Sequence, residues 1–516
     1  MKRTKKSLQL TLASAVSLSL VLTACGGGKE GSGGTDNGGT SSKPDAPAEI
    51  SMAVLGLGTG AGFPDSDNPL LKEMQKRTNT NLKIEWISES TYDDKINVLL
   101  ASGKLPDMVF IENADTAQVR TLVDQGVFWD LSPFIKDYKN LSRADLKETW
   151  ETSKINGKTF SIPRYYASFG GGVFPQLRKD WLDKLGLKVP ETIDDFYNVL
   201  KAFKEKDPDG NGKNDTIPYA ASADYIGWVT ALFNETVGSW KLKPDGKITP
   251  VITEPESREA LVWIKKAYED GLFPSDFAIL KLSQLGDLVK SGKAGGVGWS
   301  MPQAWPLTEA ARKTDPKATM LPLPYMISPK GNKYTHSGTP FYGEYFIPKS
   351  VSEAKVKKIL AFMDYGYSQE GNDLAFWGVK DVHYKEEGGK KVPTEQAKTD
   401  KVAESGATAL WATIDPESNI KVNGMPDDYY KLMQSVLAER SKVRIYNHGE
   451  RTYSQANITQ FPDFSKKIAD MRTKVILGQE KIEAFDELVA KIKADASFQK
   501  IITEMNDSFA KRPDPK

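Results

Sequence analysis

Glu49-Ile50-Ser51-Met52-Ala53-Val54-Leu55 and Leu105-Pro106-Asp107-Met108-Val109-Phe110-Ile111 bracket the part of the chain that decides the fold. The first reads as a strand. The second is a continuous apolar run of the kind found in a parallel strand covered on both faces. Between them come a Gly-rich turn (Gly56, Gly58, Gly60, Gly62), a helix-like stretch over 69–78, the alternating strand Leu82-Lys83-Ile84-Glu85-Trp86-Ile87, and an amphipathic segment from Tyr92 to Ala101. Strand, helix, strand, helix, strand predicts a doubly wound α/β unit, whose ligands sit beyond the carboxyl ends of the strands. The glycines follow a GxGxGxG spacing with no helix-opening glycine at the required offset, so they are not a dinucleotide fingerprint.

Outside this unit, composition removes several classes of function. The 516 residues carry 69 basic and 68 acidic side chains, a balance that gives no electrostatic reason to expect nucleic acid as a partner. One Cys allows no intramolecular disulfide, no thiolate zinc site and no iron–sulfur cluster. His336, His383 and His448 are scattered without metal-ligand spacing, and Cys25 lies far from all three, which argues against a Cys–His pair. No G-x-S-x-G elbow, HExxH helix or P-loop is present.

The amino terminus reads as an address. Lys2, Arg3, Lys5 and Lys6 precede an apolar stretch from Leu8 to Leu22, too short for a membrane span but suited to a secretory signal. Leu22-Thr23-Ala24-Cys25 followed by Gly26-Gly27-Gly28 resembles a bacterial lipoprotein lipobox, which makes residues 1–24 the signal peptide and Cys25 the lipidated first mature residue. Two or more acyl chains would hold such a protein stably to a membrane, where one would not. Residues 25–48 supply a flexible Gly/Ser tether with an r.m.s. reach of roughly 26 Å. Removing the signal, which holds four basic and no acidic side chains, takes the formal charge from +1 to −3.

Several motifs carry a family likeness. Ala101-Ser102-Gly103-Lys104-Leu105-Pro106-Asp107-Met108-Val109-Phe110 and Gly126-Val127-Phe128-Trp129-Asp130-Leu131-Ser132-Pro133-Phe134-Ile135 resemble the first lobe of the extracellular solute-binding proteins that serve carbohydrate ABC importers. Asn156-Gly157-Lys158-Thr159-Phe160-Ser161-Ile162-Pro163 resembles the strand before that family's first hinge crossing. Arg178-Lys179-Asp180-Trp181-Leu182-Asp183-Lys184-Leu185-Gly186-Leu187, with Pro190-Glu191-Thr192, resembles the opening of its second lobe. Lys293-Ala294-Gly295-Gly296-Val297-Gly298, Tyr342-Gly343-Glu344-Tyr345-Phe346-Ile347-Pro348 and Ser368-Gln369-Glu370-Gly371 extend the likeness towards the carboxyl end. Each motif alone is weak; their order and spacing carry the resemblance. It implies an α/β, two-lobed periplasmic-binding-protein-like fold of type II, each lobe a doubly wound sheet built from discontinuous segments joined by hinge crossings. On this expectation 49–164 and 318–350 form lobe 1. Residues 165–317 and 351–516 form lobe 2, ending in a helical tail where Ile482, Phe485, Leu488, Val489 and Ile492 keep helical spacing.

Residues 207–218 place oxygen-bearing side chains at loop positions 1, 3, 5 and 9 with glycine at 6, most of an EF-hand calcium loop. Asp207, Asp209, Asn211 and Asp215 offer side chains, Lys213 a carbonyl, and Gly212 the sharp turn. Pro218 stands where an EF-hand has its bidentate Glu. Thr216 stands where the alginate- and oligosaccharide-binding members that this region resembles carry an acidic residue. A structural Ca2+ is the expectation, and an Asp/Asn/Gly-rich turn without metal is the alternative.

The resemblance and the positions of residues beyond strands or at crossings select ligand candidates. Glu112 and Asn113 follow the Met108–Ile111 strand, with Asp115 expected to cap the next helix. Arg164, Tyr165 and Tyr166 sit at the first crossing. Trp299, Gln303 and Trp305 follow the Gly295–Gly298 strand, Tyr342, Glu344 and Tyr345 lie at the return crossing, and Trp228 follows the calcium-like loop. Aromatic rings stack on the apolar faces of sugars, while most aromatics must be core, as expected of Trp129, Trp181 and Trp263. Glu112 with Glu344 is the one carboxylate pair considered for glycoside hydrolysis. No hydrolase signature accompanies it, and the expectation is a binding protein and not an enzyme. The expected function is a monomeric receptor on the outer face of the cell membrane that captures a carbohydrate, an oligosaccharide or uronate-containing fragment, by hinge closure. It would deliver that carbohydrate to the permease subunits of an ABC importer. A surface lipoprotein enzyme acting on glycans and a sensor-associated binding module are the alternatives.

Overall fold

The computed structural model describes residues 46–56, 63–88, 91–166, 172–336, 340–388, 390–415, 420, 425–445 and 447–512. The signal stretch, Cys25 and nearly all of the tether lie outside the described residues. From Pro47 onward the chain forms one compact unit. The strands follow in chain order: β1 (Ala48–Gly56), β2 (Thr80–Ser88), β3 (Met108–Ile111), β4 (Ser161–Tyr165), β5 (Phe174–Arg178), β6 (Trp240–Leu242), β7 (Ile248–Pro250), β8 (Gly296–Trp299), β9 (Met320–Pro322), β10 (Met326–Ile327), β11 (Lys333–His336) and β12 (Phe341–Phe346).

The first lobe is built on a five-stranded sheet of order β2-β1-β3-β12-β4. β1 runs parallel to β2 and β3, whereas β12 is antiparallel to both of its neighbours. All four residues of β3 are buried, as a strand covered by helices on both faces requires. Register is pinned by Asp107, which accepts hydrogen bonds from the Ser51 amide and hydroxyl (both 2.8 Å) and an ion pair from Lys355 at 2.6 Å. The second lobe has a shorter sheet, β8-β5-β9, with β5 antiparallel to both flanks and a thick layer of helices around it. Its helix Ile193–Glu205 starts on a Thr192/Asp195 capping box and buries Ile193, Phe196, Val199, Leu200 and Phe203, the spacing of an amphipathic helix.

The two cores divide the chain differently from the expected boundaries. Helix Glu353–Gly366 sends Val356, Ile359, Leu360, Phe362 and Met363 into the first core, and Leu374, Val402, Leu410 and Trp411 join them. Residues 351–412 therefore belong to the first lobe, not the second. Conversely, Leu323, Met326 and Tyr334 pack in the second core and β9 pairs with β5, so 320–336 belong to the second lobe, not the first. The chain crosses between lobes after β4, before β12, and again between Thr413 and Asp427. Beyond that third crossing, helix Asp427–Lys442 packs Tyr429 and Met433 against Trp305 and Leu321.

Candidate functional site

Three adjacent strands of the first sheet, β3, β12 and β4, bring their ends together where the chain passes between lobes. Glu112 is the first residue after β3, Tyr342 is the second residue of β12, and Arg164 is the penultimate residue of β4. Register slips between Phe341 and Glu344, and Gly343, at φ 70°, leaves no room for a Cβ beside the Phe110 ring. This irregularity turns Tyr342 outward, to 38% exposure, while its neighbours in the strand are buried. The Tyr342 hydroxyl donates to Glu112 Oε1.

Arg164 lies beneath this rim. It is only 5% exposed, with its guanidinium 5.4 Å from the Tyr342 ring centroid and 5.9 Å from that of Phe110. Among the described residues it has no hydrogen-bond or ion-pair partner. Burial holds its pKa below the ordinary arginine value, the tyrosines around it offsetting this only in part. A cation–π contact is worth about 0.5–2 kcal/mol. Burying an ion costs several kcal/mol even after relaxation, so two rings do not replace a counter-ion.

A second arginine shows the opposite arrangement. Residues 447–454 are fastened to the second lobe: His448 O accepts from Arg512 Nη1 at 3.0 Å, and the Tyr453 amide donates to Ser508 Oγ at 2.9 Å. From this segment Arg451, at φ 58°, reaches into the first lobe. Its Nε donates to Thr152 O at 2.9 Å, its amide to Asp115 Oδ2 at 3.2 Å, its Nη1 to Asp115 Oδ1 at 3.4 Å, and its Nη2 to Glu344 Oε2. Arg120 also pairs with Asp115 and lies 5.7 Å over the Tyr453 ring. Burial opposes ionisation of Asp115, but Arg451 and Arg120 outweigh it and hold the carboxyl below its usual range. Burial, together with Asp115, pushes the neighbouring Glu450 carboxyl up to about 7.

The expected ligand residues separate into three groups. Glu112, Arg164 and Tyr342 are in mutual contact through Tyr342, and exposed Asn113 lies beside them, its Oδ1 accepting from the Asp115 amide at 2.9 Å. On the second-lobe side of the crossing, half-buried Trp299 ends β8 opposite Phe174 with its ring against Gly286, and Gln303 is exposed. Half-buried Tyr166 bridges to Thr413, and its amide donates to Pro340 O at 3.0 Å. The remaining five are interior. Glu344 is 1% exposed, with Oε1 taken by Ser161 Oγ at 2.6 Å and Oε2 by Arg451. It is a lobe-joining residue and cannot flank a glycosidic bond with Glu112. Tyr345 packs on Phe110 and donates to Ala409 O at 2.7 Å; Tyr165 belongs to the same core. Trp228 is walled in by Phe174, Phe196 and Tyr219, and Trp305 by Tyr429 and Arg312. Asp115 is not a helix cap: Thr116 caps helix Ala117–Asp124, its hydroxyl accepting from the Val119 amide at 3.3 Å.

The calcium-like loop curls as its glycines require, with Asp207, Gly210 and Gly212 all at positive φ. Asp207 accepts from the amides of Gly210 (3.2 Å) and Gly212 (3.0 Å). The Asn211 amide group points Nδ2 between Asp209 Oδ2 (2.8 Å) and Asp215 Oδ1 (2.9 Å), and its Oδ1 accepts from the Lys213 amide. Burial and the neighbouring Asp207 and Asp215 push the Asp209 carboxyl up. Among the described residues no three His, Cys, Asp or Glu side chains already stand in a metal-holding group. The donor set is nevertheless all oxygen and crowded with like charge, with the Asn211 amide serving as donor between two carboxylates. Such chemistry fits a hard divalent cation. Thr216 Oγ1, at the tenth position, is buried without a partner among the described residues.

A two-lobed α/β body, strand ends gathered at interlobe crossings, and an aromatic–polar set at those ends are the features of a two-lobed binding protein. Similarity to known proteins agrees. The chain is 31% identical over 435 residues to Lipoprotein LipO of Bacillus subtilis (strain 168), covering 83% of this chain and 86% of that protein. It is 30% identical over 506 residues to the polygalacturonan/rhamnogalacturonan-binding protein YtcQ of the same organism, covering 96% and 98%. An HMO-binding, ABC-transporter-associated solute-binding protein from Bifidobacterium longum infantis superposes with a TM-score of 0.69 at 19% identity over 90% of this chain and 99% of its own length, which speaks to the fold. Residues 60–373 match the model of the bacterial extracellular solute-binding proteins, and this chain belongs to that family.

Proposed function

We propose that this protein is a lipid-anchored extracellular receptor that captures an oligosaccharide between its lobes and delivers it to an ABC importer. The observation that carries the reading is the set formed by Tyr342, Arg164 and Glu112 where the chain crosses between lobes. An exposed ring offers a face to a pyranose, and charged groups beside it can hold hydroxyls or acidic substituents. A ligand touching both this set and Trp299 or Gln303 across the crossing makes contacts that exist only when the lobes are closed, and so shifts the population towards closure. YtcQ, which matches over nearly the whole chain, is named for binding polygalacturonan and rhamnogalacturonan, and the Bifidobacterium protein for its association with an ABC transporter. Cys25 would carry the lipid, in keeping with the lipoprotein relative LipO, and would place the receptor on the outer face of the cell membrane. No step in this cycle requires the protein to break a bond.

Calcium belongs to the same proposal. Asp207, Asp209, Asn211 and Asp215, with the Lys213 carbonyl, would hold a structural Ca2+ once the Asn211 amide turns its oxygen inward. The ion would supply positive charge to a carboxylate cluster that otherwise repels itself. Added Ca2+ should raise the melting temperature, and Asp209→Asn should abolish the rise. No bound metal and no shift would remove calcium from the account.

The receptor reading is tested by titrating the full chain with pectic and neutral oligosaccharides while following Trp fluorescence and the radius of gyration. Saturable fluorescence change with contraction and no product is expected. Turnover of a glycan, or no response to any of them, would count against it.

A further inference from the structure

Resting on the receptor reading, we infer that Arg164 is a carboxylate receptor and that the sugar captured here is an acidic one, its uronate carboxylate replacing the counter-ion this arginine lacks among the described residues.

Three other buried guanidiniums are matched with carboxylates: Arg178 with Asp180 and Asp315, Arg120 with Asp115, and Arg451 with Asp115 and Glu344. A fourth, Arg440, is held by a backbone oxygen, its Nε donating to Leu323 O at 3.0 Å beside the Phe174 ring. Arg164 is as deeply placed as Arg120, each 5% exposed, yet among the described residues it meets only the faces of Phe110 and Tyr342. The nearest acidic residue in this set, Glu112, is taken up by the Tyr342 hydroxyl. A planar guanidinium presents paired donors that match the two oxygens of a carboxylate, which a neutral sugar hydroxyl cannot use to the same effect.

Position narrows the ligand further. Arg164 is one residue from the end of β4, at the mouth of the first crossing, and Tyr342 stands over it as the first exposed ring after the second. A group that reaches Arg164 therefore arrives beside an aromatic surface. A uronate residue meets both requirements in one unit, with the carboxylate projecting from a ring whose C–H face is apolar. A free inorganic anion would satisfy the charge and leave the ring unused; a neutral sugar would do the reverse.

The test compares oligogalacturonate with its fully methyl-esterified form and with a neutral oligosaccharide, by calorimetric titration of the full chain at low and moderate salt. The expected result is that the acid binds at least about 30-fold more tightly than its ester, since an unmatched buried charge is left behind when one partner of such a pair is lost. Acetate or sulfate alone should bind far more weakly than the oligomer. Arg164→Leu should lose the preference for the acid while retaining an unchanged far-UV spectrum, and Arg164→Lys should keep part of it. The comparison of acid and ester needs no variant, so it decides the matter even if Arg164→Leu fails to fold. Equal binding of acid and ester, or of acid to wild type and Arg164→Leu, overturns the inference. Tight binding of neutral sugars only would overturn it while leaving the receptor reading intact, whereas no binding of any sugar would sink both.

Discussion

Arg451 and Arg164 are both buried, both near the interlobe crossings, and built for different ends. Each guanidinium nitrogen of Arg451 donates to the other lobe: Thr152 O, Asp115 and Glu344 accept from it, and Ser161 completes Glu344. Arg164 spends none among the described residues and rests between two rings. A saturated buried ion joins parts of a protein, because breaking it strands its partners. An unsaturated one is a standing cost to the fold that only a ligand relieves. The two residues separate stability from binding within a short distance of one another along β12.

The largest effect should come from breaking the saturated side. Arg451→Leu leaves the carboxylate of Glu344 buried without a cation and should lower unfolding stability by about 3–5 kcal/mol, read from denaturant unfolding. Next is the unsaturated side: Arg164→Leu should unfold within about 1 kcal/mol of wild type, or above it, despite losing acidic-ligand binding. Equal destabilisation by the two substitutions would erase the distinction between them. A third contrast uses tryptophan. Trp299→Phe should weaken binding roughly fivefold and reduce the ligand-dependent fluorescence change, about 1 kcal/mol of stacking. Trp228→Phe should cost about 1–2 kcal/mol of stability and leave binding unchanged, because its ring is enclosed by Phe174, Phe196 and Tyr219.

The smallest effect concerns pH. Glu450 titrates at about 7 in the folded protein, raised from 4.5 by burial and by Asp115 and Glu344, with Arg451 opposing. Its folded pKa lies above its unfolded one, so the stability it contributes is fully present below about pH 4.5 and is lost as pH rises through 7. Glu450→Gln should flatten the fall in melting temperature between pH 5 and 8. An unchanged profile would show that Glu450 is ionised throughout.

Much of this could be read from the sequence. The first three strands and the helices between them are local patterns of apolar residues, and they lie where periodicity puts them. Glu112, Arg164 and Tyr342 were reachable because each immediately follows a strand or flanks a crossing. Glu344 was misread for a local reason: the slip at Gly343 breaks the alternation that would have set it on the same face as Tyr342. Tyr345, next along the strand, packs on Phe110 in the core. Trp228 and Trp305 sit in short helices whose apolar residues do not mark a single face, so position along the chain said nothing about which ring was enclosed. Arg451 carried no local signal, since its partners Glu344 and Asp115 lie 107 and 336 residues away. The lobe boundaries failed similarly, because helix Glu353–Gly366 has a core-facing stripe that fits either lobe until its partners are known.

A crystal structure of the full chain grown with oligogalacturonate, read at the Arg164 guanidinium, decides between the two roles of a buried arginine, joining parts of the protein or holding a ligand. A uronate carboxylate should lie within hydrogen-bonding distance of Arg164, about 3 Å, with both lobes touching the sugar. A protein carboxylate on Arg164, or a bound sugar whose carboxylates all face solvent, would contradict it.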